Sequence, residues 1–169
     1  MRILGIDPGY RITGYAVIDS DGQQSQHVCN GVIRATTDDP AQRLRGIFER
    51  VAELIAEFAP QEMAVEKVFV ARNADSALKL GQARAAAICA SFGAEIKIAE
   101  YAARLVKQSI VGKGNADKSQ VQHMVKALLQ LEGDLAADAA DALAIALCHA
   151  HMRAFSARLD DARLAGGAR

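Results

Sequence analysis

Four acidic residues in this chain stand where a carboxylate is costly. Asp7 ends the apolar run "RILGID" and is followed at once by Pro8 and Gly9, which turn the backbone. Glu66 interrupts "AVEKV", where an apolar residue is expected. Asp138 and Asp141 open the Ala- and Leu-rich segment "DAADALAIALCHAHM" at spacing i, i+3, so both carboxylates project from one helix face. Each has an ordinary explanation. Asp7 can cap a turn, Glu66 can pair with a lysine, and Asp138 can be an N-cap worth about 1 kcal/mol. Asp141 is harder to dismiss, because it lies inside the helix on an Ala/Leu face. Brought into one low-dielectric cleft, the four would repel one another strongly, and divalent cations would remove that repulsion. Oxygen-only ligands with no His or Cys partner point to Mg²⁺ or Mn²⁺ rather than zinc. Two such ions roughly 3.5–4 Å apart can activate a water and stabilise the leaving oxygen in phosphoryl transfer.

The elements that must position these acids can be read from period and punctuation. Residues 2–7 and 13–19 read as strands, "SDGQQ" as a turn and "HVCNGVIRA" as a third strand, joined closely enough for an antiparallel meander. After "TTDDP" the period changes. Leu44, Ile47, Phe48, Val51, Leu54, Ile55 and Phe58 recur at helical spacing, with Pro40 suited to the first turn and Pro60 just beyond the end. "EMAVEKVFV" is strand-like, "ADSALKLGQARAAAICASFG" is an Ala-rich helix, "EIKIAE" is a short strand and "YAARLVKQSIV" a helix. "GKGN" is a loop, and Asp117 with Gln120 three residues on forms a capping box for the helix carrying Val121, Met124, Val125, Leu128 and Leu129. The last helix begins near Asp138. The tail from about Arg153 has little periodicity and is expected to fray. This order predicts an α/β fold with a five-stranded mixed sheet, three antiparallel strands then two parallel ones, flanked on both faces by helices. Sites in such sheets gather at the carboxyl ends of strands, where Asp7 stands.

Composition narrows the class. With 169 residues, about half of them apolar, the chain suits a single soluble domain, expected over 1–152 with the tail at 153–169. No apolar run approaches the roughly 18–20 residues of a membrane span, and "ILGI" is too short for a signal-peptide core, so a cytoplasmic protein is expected. Cys29, Cys89 and Cys148 form no CxxC pattern and read as reduced thiols. His149 and His151 flank Ala150 without an HExxH motif, which does not support a histidine metal site. Net charge is zero, yet Val65–Lys126 carries ten lysines and arginines against five acids, so a phosphate-binding face can exist on a neutral protein. "VGKGNADKS" lacks the Ser/Thr-terminated GxxxxGK of a Walker A loop; Gly112 and Gly114 read instead as a mobile loop carrying Lys113 and Lys118.

Taken together, "ILGIDPGYRITGYAVI", "VEKVFVARNADSALKLGQARAAAI", "EYAARLVKQSIVGKGNADKSQVQHMV" and "ADAADALAIA" resemble the RuvC family of Holliday-junction resolvases, across essentially the whole chain except the tail. The resemblance implies an RNase H-like fold and Mg²⁺-dependent hydrolysis of two symmetric phosphodiester bonds in a four-way DNA junction, leaving 5′-phosphate and 3′-hydroxyl ends. It puts the family's four metal-binding acids on Asp7, Glu66, Asp138 and Asp141; some relatives carry a histidine where this chain has Asp138. Two metal ions per site are implied, with Mn²⁺ able to substitute. Lys107 and Lys118 match basic residues near the scissile phosphate, where a lysine can stabilise charge developing on phosphorus. Phe69, beside Val70 and Arg72, matches an aromatic that touches bases at the crossover, a stack worth roughly 1–3 kcal/mol. The helix "NADSALKLGQARAAAICA" matches the family's dimer helix. A homodimer and the branch-migration proteins RuvA and RuvB are the implied partners.

Other classes stay in view on residues alone. A related nuclease could act on RNA or an RNA–DNA hybrid. An actin-like phosphotransferase also begins with a strand carrying Asp and a following glycine, but this chain lacks the length and a second phosphate loop. A non-catalytic junction-binding module is the third class.

Overall fold

The computed structural model describes residues 1–67 and 73–166, with side chains through Leu159. Three strands lead: β1 (Arg2–Asp7), β2 (Ile12–Ser20) and β3 (Ser25–Arg34). Helix α1 (Pro40–Phe58) follows, with Pro40 at its start, Asp39 accepting from the Ala41 N–H and Ala59 in the left-handed conformation at its end. Then come β4 (Glu62–Lys67), α2 (Ala74–Cys89), β5 (Lys97–Ala102), α3 (Ala103–Val111), α4 (Lys118–Leu129) and α5 (Ala137–Gly166). The strands form one sheet in the order β3-β2-β1-β4-β5. The β1–β2 and β2–β3 pairs are antiparallel, and the β1–β4 and β4–β5 pairs parallel, as the strand spacing requires. No described helix is long and apolar enough to cross a membrane.

Alternation along the strands divides the core in two. Leu4, Ile6, Val17, Met63 and Val65 face α1 and α2. Ile3, Ala16, Ile18 and Ala64 face α3, α4 and α5. The same period of two puts Asp7 on the α5 side with Ile3, and Glu66 on that side with Ala64. Helix α5 can lie very close there because the strands offer glycine. A Cβ on Gly5 would stand 2.3 Å from the Ala142 carbonyl oxygen, and one on Gly14 2.0 Å from that of Asp138. Gly14 is also the cross-strand partner of Asp7, so the close approach falls beside the first acid.

Two expectations are corrected. The strand read over 95–100 lies over Lys97–Ala102, which moves Tyr101 from a helix into the sheet. Pairing with β4 holds it there, since the parallel register runs on to Lys67↔Ala102. The last helix does not give way near Arg153 but continues to Gly166. Once seated on the sheet, a helix lengthens at little cost, and this segment is rich in Ala, Leu and Arg.

Candidate active site

The carboxyl ends of β1 and β4 are parallel neighbours. The last paired row before them is Ile6↔Val65, so Asp7 and Glu66 emerge side by side, close enough for each to shift the other's pKa. The opening of α5 supplies the other two acids. Asp138 stands in its first turn, where the helix dipole favours negative charge, and Asp141 one turn on. Asp7, Glu66 and Asp141 line a cleft of about 290 Å³, with Ala103, Val106 and Lys107 of α3, and Lys118 and Val121 of α4. Lys118 is the first residue of α4, whose start is held by the expected Asp117–Gln120 capping box. Its Nζ donates to Asp141 Oδ2 at 3.0 Å.

The electrostatics show that the acids share one field. Burial, then the negative charges of Glu66, Asp141 and Asp138, push the Asp7 carboxyl up to about 8, against the pull of Lys118. Burial and Asp141 also raise Glu66, while its hydrogen bond with Asp7 and the charges of Lys118 and Lys107 oppose the rise. The hydrogen bond to Asp141, then its charge and those of Asp7 and Asp138, raises the Lys118 ammonium. Such a donor set fits a hard divalent cation: oxygen only, buried and over-charged. The acids are nevertheless spread across the cleft. Among the described residues, no three of His, Cys, Asp and Glu are drawn together tightly enough to hold an ion.

Of the residues singled out in the sequence, Asp7, Glu66, Asp141, Lys107 and Lys118 line the cleft. Asp138 acts on Asp7 through its charge but does not line the cleft. Lys113 lies exposed on the loop between α3 and α4, outside the cleft lining. Phe69 and Arg72 lie outside the described residues. Gly5 and Gly14 were not singled out. A glycine inside a strand is the available signal for a closely approaching backbone.

Comparison with known proteins identifies relatives over most of the chain. The family model described as crossover junction endodeoxyribonuclease RuvC matches residues 3–149. Crossover junction endodeoxyribonuclease RuvC of Methylococcus capsulatus is 56% identical over 158 residues, covering 94% of this chain and 95% of the relative. That of Marinobacter nauticus is 59% identical over 150 residues, covering 89% and 86%. Among solved structures, T. thermophilus RuvC in complex with Holliday junction substrate superposes with a TM-score of 0.87 at 34% identity, covering 92% of this chain and 96% of that one.

Proposed function

Because the chain belongs to the RuvC family of crossover junction endodeoxyribonucleases, we propose that its carboxylate cleft is where the phosphodiester bonds of a four-way DNA junction are hydrolysed. The protein is a metal-dependent endonuclease that resolves Holliday junctions in recombination and repair. The observation that carries the placement is the convergence of Asp7, Glu66 and Asp141, with Asp138 in the same field, on one cleft rimmed by Lys107 and Lys118.

The finer reading assigns Mg²⁺ to the cleft, two ions per site, with Mn²⁺ able to substitute. Asp7, Glu66, Asp138 and Asp141 would hold them. When bound, the ions supply a water nucleophile at neutral pH and neutralise charge on the attacking and leaving oxygens. The chain's own contribution is electrostatic and geometric. Lys118 reaches the cleft from the start of a helix, where its ammonium can leave Asp141 for a phosphate oxygen. Lys107 stands on the same rim. Lys113 on its loop, and Phe69 and Arg72, are assigned to the junction arms and crossover bases by family resemblance.

A four-way junction needs two opposed cuts, which a two-fold pair of sites provides. Helix α2 buries only Ala83 and Ala87 and leaves Leu78 68% exposed, with Phe92 just past its end 73% exposed, and a second copy would cover this face. Residues 1–152 form the nuclease unit in this reading, because both apolar clusters are complete by Met152. RuvA and RuvB as partners, and work in the cytoplasm, follow from the same resemblance.

Asp7→Asn tests the assignment. Junction binding persists, and cleavage with Mg²⁺ falls by at least about a hundredfold, as loss of a metal-organising group should produce. Cut positions read on all four strands, with and without Mg²⁺, check this. Resolution at the normal rate by the variant would refute it, and cleavage of an RNA–DNA hybrid in preference to the junction would favour the other nuclease class.

A further inference from the structure

Behind the cleft, on the same face of the sheet, runs a chain of polar side chains that the hydrolysis does not use. Glu62 opens β4 and His149 lies on α5, and both are buried. Tyr101 Oη is 2.7 Å from His149 Nδ1, and His149 Nε2 is 2.5 Å from Glu62 Oε2. Arg153, one turn further along α5, pairs with the other carboxylate oxygen, Glu62 Oε1. One proton arrangement satisfies the whole chain. Tyr101 O–H donates to Nδ1, Nε2–H donates to Glu62, and the carboxylate also accepts from Arg153. Burial lowers the His149 pKa and so favours the neutral ring that this arrangement needs.

The chain joins the elements that carry both halves of the acid cluster. Glu62 lies on the strand of Glu66, and Tyr101 is the cross-strand partner of Glu66. His149 lies just over two turns beyond Asp141 on the same helix. Elsewhere α5 meets the strands through non-directional packing: apolar side chains such as Leu143 and Ala146 in the core, and Gly5 and Gly14 against its backbone. Buried, charge-assisted hydrogen bonds are directional and resist both sliding and rotation. We propose that the Tyr101–His149–Glu62–Arg153 chain is a positioning device: it fixes α5 along its own axis against β4 and β5, and thereby sets how far Asp138 and Asp141 stand from Asp7 and Glu66.

This inference rests on the reading of the four acids as one metal centre. The test is a calorimetric Mn²⁺ titration of the full chain and its variants. Tyr101→Phe removes one oxygen and keeps the ring, and Arg153→Gln removes the outer charge. Both should weaken Mn²⁺ binding by about tenfold, the scale found for groups that orient metal ligands. The Mg²⁺ concentration giving half-maximal cleavage should rise in parallel, with junction affinity measured in EDTA unchanged. A lowered melting temperature with wild-type Mn²⁺ affinity would make the chain merely structural and overturn the proposal. Should Tyr101→Phe fail to fold, Arg153→Gln decides alone. Asp7→Asn separates the two readings. If it binds Mn²⁺ as the wild type does, the metal-centre reading falls and this inference with it. If it loses Mn²⁺ while the other variants keep wild-type affinity, only the positioning role is refuted.

Discussion

Burial and its acidic neighbours push the Asp7 carboxyl up to about 8, and a carboxyl must give up its proton before it can ligate a metal. If Asp7 holds the metal as proposed, metal loading at neutral pH releases a proton. Mg²⁺ titration at pH 7, repeated in buffers of different ionisation enthalpy, should show proton release that shrinks as pH rises past 8. The same shift has a consequence for stability. The folded-state pKa lies above the ordinary value of 3.8, so the contribution of Asp7 is fully present below about pH 4 and is lost as pH rises through about 8. Chelator-treated protein should therefore lose melting temperature across that window, and Mg²⁺ should restore it most strongly at the alkaline end. Melting curves with EDTA and with Mg²⁺ check this; a pH-independent Mg²⁺ effect would contradict it.

Elements bring the acids together, and here two glycines matter as much as the acids. A Cβ on Gly14 would meet the backbone of Asp138, and one on Gly5 the backbone of Ala142, neither of which can step aside as a side-chain tip can. Gly14→Ala should destabilise the fold by about 1–3 kcal/mol, as overpacking does. It should also slow junction cleavage by at least about tenfold, since displacing the opening of α5 by an ångström misplaces Asp138. Gly46→Ala is the control. It lies in α1 with nothing within 4 Å of its added Cβ, so it should stabilise by about 0.4–1 kcal/mol and leave cleavage unchanged. Denaturant titration with a cleavage time course on each variant reads both effects. The acids were legible in the sequence because a charge inside an apolar run breaks a local period, as Glu66 breaks "AVEKV". The strand order followed from short connections and period changes. Gly5 and Gly14 are legible only as glycines inside strands; that a helix more than a hundred residues away is what approaches them is not. In the sequence His149 stands next to no metal-ligand pattern and carries no other signal. Its partners Glu62 and Tyr101 come from other elements, and Tyr101 reads as the start of a helix, which begins instead at Ala103.

On the scale of the whole molecule, the two faces of the sheet present different surfaces. The α3–α5 face holds the cleft. The α1–α2 face ends in a helix that hides little of itself and leaves Leu78 in solvent. If a second copy covers that helix, Leu78→Arg should give a monomer by sedimentation. Junction cleavage should then yield single nicks in place of paired cuts, because each cleft keeps its chemistry but loses its opposed counterpart. A variant that remains dimeric would remove α2 from the interface.

The order in which the acids occur along the polypeptide also matters while the protein is being made. Asp7 and Glu66 lie on strands that leave the ribosome well before Asp138 and Asp141, which open α5. A nascent chain in which α5 has not yet emerged therefore lacks two of the four acids proposed to hold the metal, so the proposed centre assembles only once that helix docks on the sheet.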